Sequence, residues 1–202
     1  MKRDAAASLG FVCLLAAQSP SGAFAQRAPS CPAPMAAPGA AEAFQDGPAP
    51  LARLGQPATD LQGLSASGAP FRLSQLKGKV ILLDVSAMWC GFCQQDAPAV
   101  QYLYQTYGPK GLAVVTCLAE DANGAPVTPA GLQQWAGNYH LTQTVMNDPS
   151  GTANGTAEKA YVSVTGGFPT LVLIDQAFNV QYLQGGLNLA AVTAKINALL
   201  TP

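Results

Sequence analysis

Apolar positions along the chain follow two rhythms. Val80-Ile-Leu-Leu-Asp-Val is a near-continuous apolar run with one acid in it, the pattern of a strand covered on both faces. Gly111-Leu-Ala-Val-Val-Thr-Cys-Leu and Thr170-Leu-Val-Leu-Ile-Asp repeat it, and Val180 to Leu183 is placed to pair with the last of these after a turn near Asn179. Between these runs the spacing is helical. Gln94 to Tyr107 aligns Ala97, Val100, Leu103, Tyr104 and Tyr107, and Pro129 to Tyr139 aligns Leu132, Trp135 and Tyr139. Thr156 to Val162 predicts a shorter helix, and Leu189 to Leu200 an amphipathic helix. Phe71 to Leu76 with the following Lys77-Gly-Lys reads as a polar turn region. Strands alternating with helices predict an α/β layer fold with a partly parallel sheet.

The pattern fails upstream of Leu54. Lys2 and Arg3 precede a short apolar run from Leu9 to Ala17, and Ala23-Phe24-Ala25 follows. A basic start, a short apolar stretch and a small-residue A-x-A site make a secretory signal peptide. The run is shorter than the roughly 20 residues a membrane span needs. Cleavage is expected after Ala25, with an uncleaved anchor as the main alternative. Lipidation at Cys31 is weaker, because Ala28-Pro29-Ser30 is a poor lipobox and lies far from the apolar run. Residues 26–53 are rich in Ala, Pro and Gly and carry no hydrophobic period, so they read as an extended, semi-stiff linker. The expected organisation is a signal peptide over 1–25, a linker over 26–53 and one domain over 54–202.

Composition narrows the function classes. Hydrophobic residues make up 49% of the 202 residues and charged residues only 10%, against roughly 25% charged in an average soluble domain. Lys plus Arg is 10 and Asp plus Glu is 11, a formal net charge of -1. That removes the electrostatic argument for nucleic acid as a partner. Export would leave Cys31, Cys90, Cys93 and Cys117 in a compartment where disulfides persist.

The chemistry concentrates at Trp89-Cys90-Gly91-Phe92-Cys93. A C-x-x-C between a buried strand and a helix puts its first sulfur at the helix N-terminus, where unpaired N–H groups and the helix dipole favour negative charge. The thiol pKa falls and a thiolate becomes available near neutral pH. Two intervening residues let Cys93 reach Cys90 from the first helical turn. Attack, mixed disulfide and resolution can then follow. The same pair could form half of a zinc site or a structural disulfide. Structural zinc needs about four ligands, and beyond the pair only Cys31, Cys117 and His140 remain, none with ligand spacing. Redox chemistry fits context and spacing together.

With these residues in view, Leu54 to about Leu200 resembles a thioredoxin-fold domain of the TlpA/ResA type, the exported redoxins. The resemblance implies a thioredoxin-like α/β fold, with a central mixed sheet flanked by helices behind the signal peptide and linker. It rests on the C-x-x-C together with Asp84, which stands six residues before Cys90, Trp89 before the first cysteine, Pro98 five after Cys93, and Gly167-Phe168-Pro169-Thr170. Tyr161-Val162 and Leu173-Ile174-Asp175 also match. It implies catalytic roles for Cys90 and Cys93, a proton acceptor at Asp84, and a tuning acid at Asp96 where the family usually has Glu. It also implies substrate contacts from Trp89, Phe168 and a cis Pro169. Gly91-Phe92 departs from the commoner Gly-Pro dipeptide and leaves the direction of electron flow open.

The implied activity is disulfide exchange with protein substrates, as a reductant fed by a membrane thiol donor, without metal or cofactor. Two alternatives use the same fold. Pro57 to Leu61 resembles the start of redoxin domains generally and raises a thiol peroxidase, although Ala87 stands where such enzymes carry Thr. A copper-binding assembly module would need a wider cysteine pair. His140 is expected at a surface or turn, Trp135 in a helix core, and Cys117 as a small buried hydrophobe. A bridge from Cys117 to Cys31 is the alternative for that residue.

Overall fold

The computed structural model describes residues 51–148 and 156–201. The expected signal peptide, most of the linker and Cys31 lie outside the described residues. Among the described residues, seven strands and four α-helices follow in chain order. A hairpin comes first, β1 (Gln62–Leu64) and β2 (Pro70–Arg72), then β3 (Val80–Ala87), α1 (Gly91–Tyr107) and β4 (Leu112–Glu120). Helix α2 (Pro129–Asn138) and β5 (Thr144–Asn147) come next. A π-helical stretch, Glu158–Val162, runs into the short α3 (Ser163–Thr165). β6 (Thr170–Ile174), β7 (Val180–Gly185) and α4 (Leu189–Leu200) complete the order.

The main sheet has the order β5-β4-β3-β6-β7. β3, β4 and β5 run parallel, while β6 pairs antiparallel with both β3 and β7. This is the thioredoxin-like mixed sheet flanked by helices that the resemblance implied. β3 lies at the centre with all eight residues buried, which is why its sequence is apolar without alternation. Val80 and Leu82 face Val100 and Leu103 of α1 and Val192 and Ile196 of α4. Ile81, Leu83 and Val85 face Ala157, Tyr161, Leu61 and Phe178 on the other side. Both faces of β3 are therefore dry, and any polar group on them must find its partners inside.

Helix α1 begins at Gly91 with Cys90 as its cap, where the C-x-x-C reading put the helix N-terminus, and the apolar stripe that periodicity detects starts one turn later. Two differences from the sequence reading have physical causes. β5 has only four residues, Thr-Val-Met-Asn, too few to show a period. The β1–β2 hairpin has three residues per strand and a polar face, so Phe71 to Leu76 is part strand and part 3-10 turn rather than turn alone. Its continuation covers the outer edge of β5: Ser65 bridges Met146, Ala66 N–H donates to the Val145 carbonyl (2.9 Å), and Leu64 N–H donates to Asn147 Oδ1 (2.7 Å). An edge strand is thereby kept from pairing with another chain.

Candidate active site

The parallel strands β3 and β4 both end at the same side of the sheet, and α1 starts there. Its N-cap is Cys90, in extended backbone (φ −76°, ψ 111°), and Cys90 Sγ accepts the Cys93 N–H at 3.2 Å. A sulfur thus occupies the place usually held by a Ser, Thr, Asp or Asn oxygen. Cys90 and Cys93 are joined as a disulfide, with Cα atoms 5.2 Å apart. Both are buried, packed with Ala87, Ala97 and Leu118, and Phe168 lies against the same cluster. Opened by reduction, Cys90 would leave its sulfur facing the N–H groups and the positive end of a 17-residue helix.

Beneath this end of the sheet lies Asp84, buried on the α1 side of β3 and paired in register with Thr116. Ser86 Oγ donates to Asp84 Oδ1 (2.7 Å) and Thr116 Oγ1 to Oδ2 (3.2 Å). Burial raises its pKa from 3.8 to about 6; the two hydroxyls pull it back part of the way, and the charge of Asp96 adds a smaller push upward. Asp96, half-buried on α1, accepts the Leu187 N–H at 3.3 Å, and burial raises its carboxyl too.

An apolar surface surrounds the sulfurs. Trp89 is 51% exposed and Phe92 72%. Trp89 meets Phe168 edge-on, ring centroids 5.9 Å apart at 84°, a favoured aromatic geometry. The Phe168–Pro169 bond is cis, and the Pro169 carbonyl accepts the Gly186 N–H at 2.7 Å. Phe92, Asp96, Phe168, Pro169 and the turn from Gly185 to Asn188 line an open groove of about 490 Å³.

The predicted site residues therefore converge on one end of the molecule: the cysteine pair, Trp89, Phe168 and Pro169 around the groove, Asp96 on its wall and Asp84 below in the sheet. His140 is exposed in a turn at positive φ (52°), Trp135 is core, and Cys117 is a free, fully buried thiol on the opposite face of β4 from Thr116. The expected alternative, a bridge to Cys31, involves a residue outside the described ones. Three residues were missed. Ser86 and Thr116 are ordinary strand hydroxyls in sequence, and only cross-strand register brings Thr116 to Asp84. Glu120 ends β4 and accepts the Trp89 indole N–H through Oε2 at 2.6 Å. A strand-ending acid beside a C-x-x-C strand was the signal available for it.

A disulfide of this spacing at a helix N-terminus, on a thioredoxin-like sheet, defines a thiol–disulfide oxidoreductase. The chain belongs to the AhpC/TSA family, whose model matches residues 54–183. It is 31% identical over 132 residues to the thioredoxin-like protein YneN of Bacillus subtilis, covering 65% of this chain and 71% of that one. It is 29% identical over 150 residues to the thiol-disulfide oxidoreductase ResA of Oceanobacillus iheyensis, covering 72% of each. Among solved structures it is similar to a thiol:disulfide interchange protein DsbE from Chlorobium tepidum, with a TM-score of 0.62, 26% identity, and coverage of 74% of this chain and 99% of that one.

Proposed function

We propose that the protein is exported and reduces disulfides of protein substrates, with Cys90 attacking and Cys93 resolving. The observation that carries this reading is the Cys90 sulfur at the N-cap of α1, accepting the Cys93 N–H. In the reduced enzyme the Cys90 thiolate attacks a substrate disulfide, a mixed disulfide forms, and one substrate thiolate leaves. Cys93 then gives up its proton, attacks the Cys90 sulfur and releases the second substrate thiolate. Two electrons pass to the substrate, and the pair closes as the disulfide. Asp84, buried on the α1 side of the sheet and half-protonated near pH 6, suits the acceptor of the Cys93 proton. Asp96 sets the charge around the pair. Trp89, Phe168 and Pro169 form the surface along which the substrate segment lies, in the manner of a short added strand.

The basic start, short apolar run and A-x-A site support export of the mature chain from Gln26, with residues 26–53 as linker to the domain. No helix of the described residues is long and apolar enough to cross a membrane. The TlpA/ResA resemblance supports the reducing direction and a membrane thiol donor that reopens the disulfide. In a peptide-disulfide reduction assay, Cys90→Ser is expected to abolish turnover; equal activity in the variant rejects the assignment. The Cys90–Cys93 potential is expected near that of thioredoxin, about −270 mV, and a value near DsbA, about −120 mV, would reverse the direction. N-terminal sequencing of exported protein tests the leader, and a mature chain starting at Met1 removes it.

A further inference from the structure

We propose that Glu120 is a positioning residue of this site, its carboxylate fixing the Trp89 indole against Phe168 so that the apolar wall beside Cys90 is formed before substrate arrives. The proposal rests on the thiol–disulfide reading above and names what holds its substrate surface in place.

Trp89 sits immediately before the capping cysteine, in a short turn between β3 and α1, with half its surface in water. A large side chain so placed loses rotamer freedom only if something holds it. Two contacts do. The indole N–H donates to Glu120 Oε2 at 2.6 Å, a short, charge-assisted bond, stronger than a neutral one. The ring edge meets Phe168, the residue before Pro169 on the groove wall. Glu120 is well placed for the first contact. It closes β4, beside β3 in the sheet, and its own carbonyl accepts the Met88 N–H at 2.9 Å. One residue thus ties down both the backbone just before Trp89 and the Trp89 ring. The wall presented to a substrate is then preorganised, which lowers the ordering cost of binding rather than the barrier to sulfur attack.

The test uses the full chain and a peptide-disulfide substrate. E120A is expected to raise KM about fivefold and to move kcat by less than about twofold, the split of a lost binding contribution. E120Q keeps an acceptor oxygen but loses the charge, and is expected to raise KM by clearly less than E120A does. On a Trp89→Phe background, E120A is expected to add nothing, because its effect runs through the indole. In ¹⁵N-labelled protein the Trp89 indole N–H resonance, assigned by its loss in W89F, is expected to shift and to exchange faster with water in E120A, and to a smaller degree in E120Q. A wild-type KM in E120A, equal impairment in E120Q, or a further loss in the double variant would overturn the proposal. Cys90→Ser separates the two claims. Surviving turnover there refutes the thiol–disulfide reading, whereas lost turnover with an unchanged E120A KM refutes the clamp alone.

Discussion

Among single residues, Asp84 is the site carboxyl that burial moves well away from its solution behaviour. Burial holds its pKa near 6 against an ordinary 3.8, although both carboxylate oxygens accept hydroxyl donors. Because the folded protein binds this proton more tightly than the unfolded chain, the contribution of Asp84 to stability is greatest below pH 4. It is lost as pH rises through about 6. At about 1.36 kcal/mol per pH unit, the interval from 3.8 to about 6 is worth roughly 3 kcal/mol. Urea unfolding of the wild type and Asp84→Asn between pH 4 and 7.5 should show this directly. The difference between the two proteins is expected to grow in favour of the asparagine variant across that window and to level off above it. A pH-independent difference would mean that Asp84 titrates normally. The acid itself was conspicuous in the sequence as the one charge in an apolar run. Its partners were not, since Ser86 and Thr116 gain significance only when β3 and β4 align Asp84 with Thr116.

Elements were legible in proportion to their length and burial. β3, β4, β6, α1, α2 and α4 carry enough apolar positions for strand runs or helical stripes to show. β5 and the β1–β2 hairpin do not, and they are held by specific contacts rather than by pattern. Asn147 shows this, accepting the Leu64 N–H while its own amide donates to the Val127 carbonyl at 2.9 Å. Gly63 sits where the hairpin crosses Asn147, and a Cβ there would run into the Asn147 backbone carbonyl and side-chain oxygen. Gly63→Ala is therefore expected to cost about 1–3 kcal/mol through the displaced hairpin. Faster hydrogen exchange is expected at β5, whose edge the hairpin covers, with the amides of β3 little affected. Native-state hydrogen exchange reads both, and an unchanged β5 would show that the hairpin does not protect it.

At the level of the whole molecule, a net charge of -1 conceals a polarity that only the topology produces. Because β3, β4 and β5 are parallel, the residues just past their C-terminal ends share one side of the sheet with the cysteines. Glu120 and Asp121 lie at that end, with Asp148 buried behind them and Asp96 near the start of α1. Glu158 joins them: burial raises its carboxyl, and the charges of Glu120 and Asp148 raise it further. Lys159 is its basic neighbour in sequence. Lys77, Lys79 and Lys110 precede β3 and β4 and so lie at the other end, with Asp175. The proposed substrate surface is thus apolar at its centre, with acids near its rim. Such a field raises the local concentration of cationic partners and fades once salt shortens its reach, from about 10 Å at 0.1 M to about 3 Å at 1 M. Two disulfide peptides identical except for flanking Lys or Glu should separate the electrostatic contribution from the aromatic one. The Lys peptide is expected to be reduced with a kcat/KM about tenfold higher at low ionic strength, and the ratio should fall towards one as salt is added. Residual preference at high salt would measure direct contacts at the wall. Equal rates at low salt would mean that the acids at this end are too well screened to select a substrate, leaving recognition to Trp89, Phe92 and Phe168 alone.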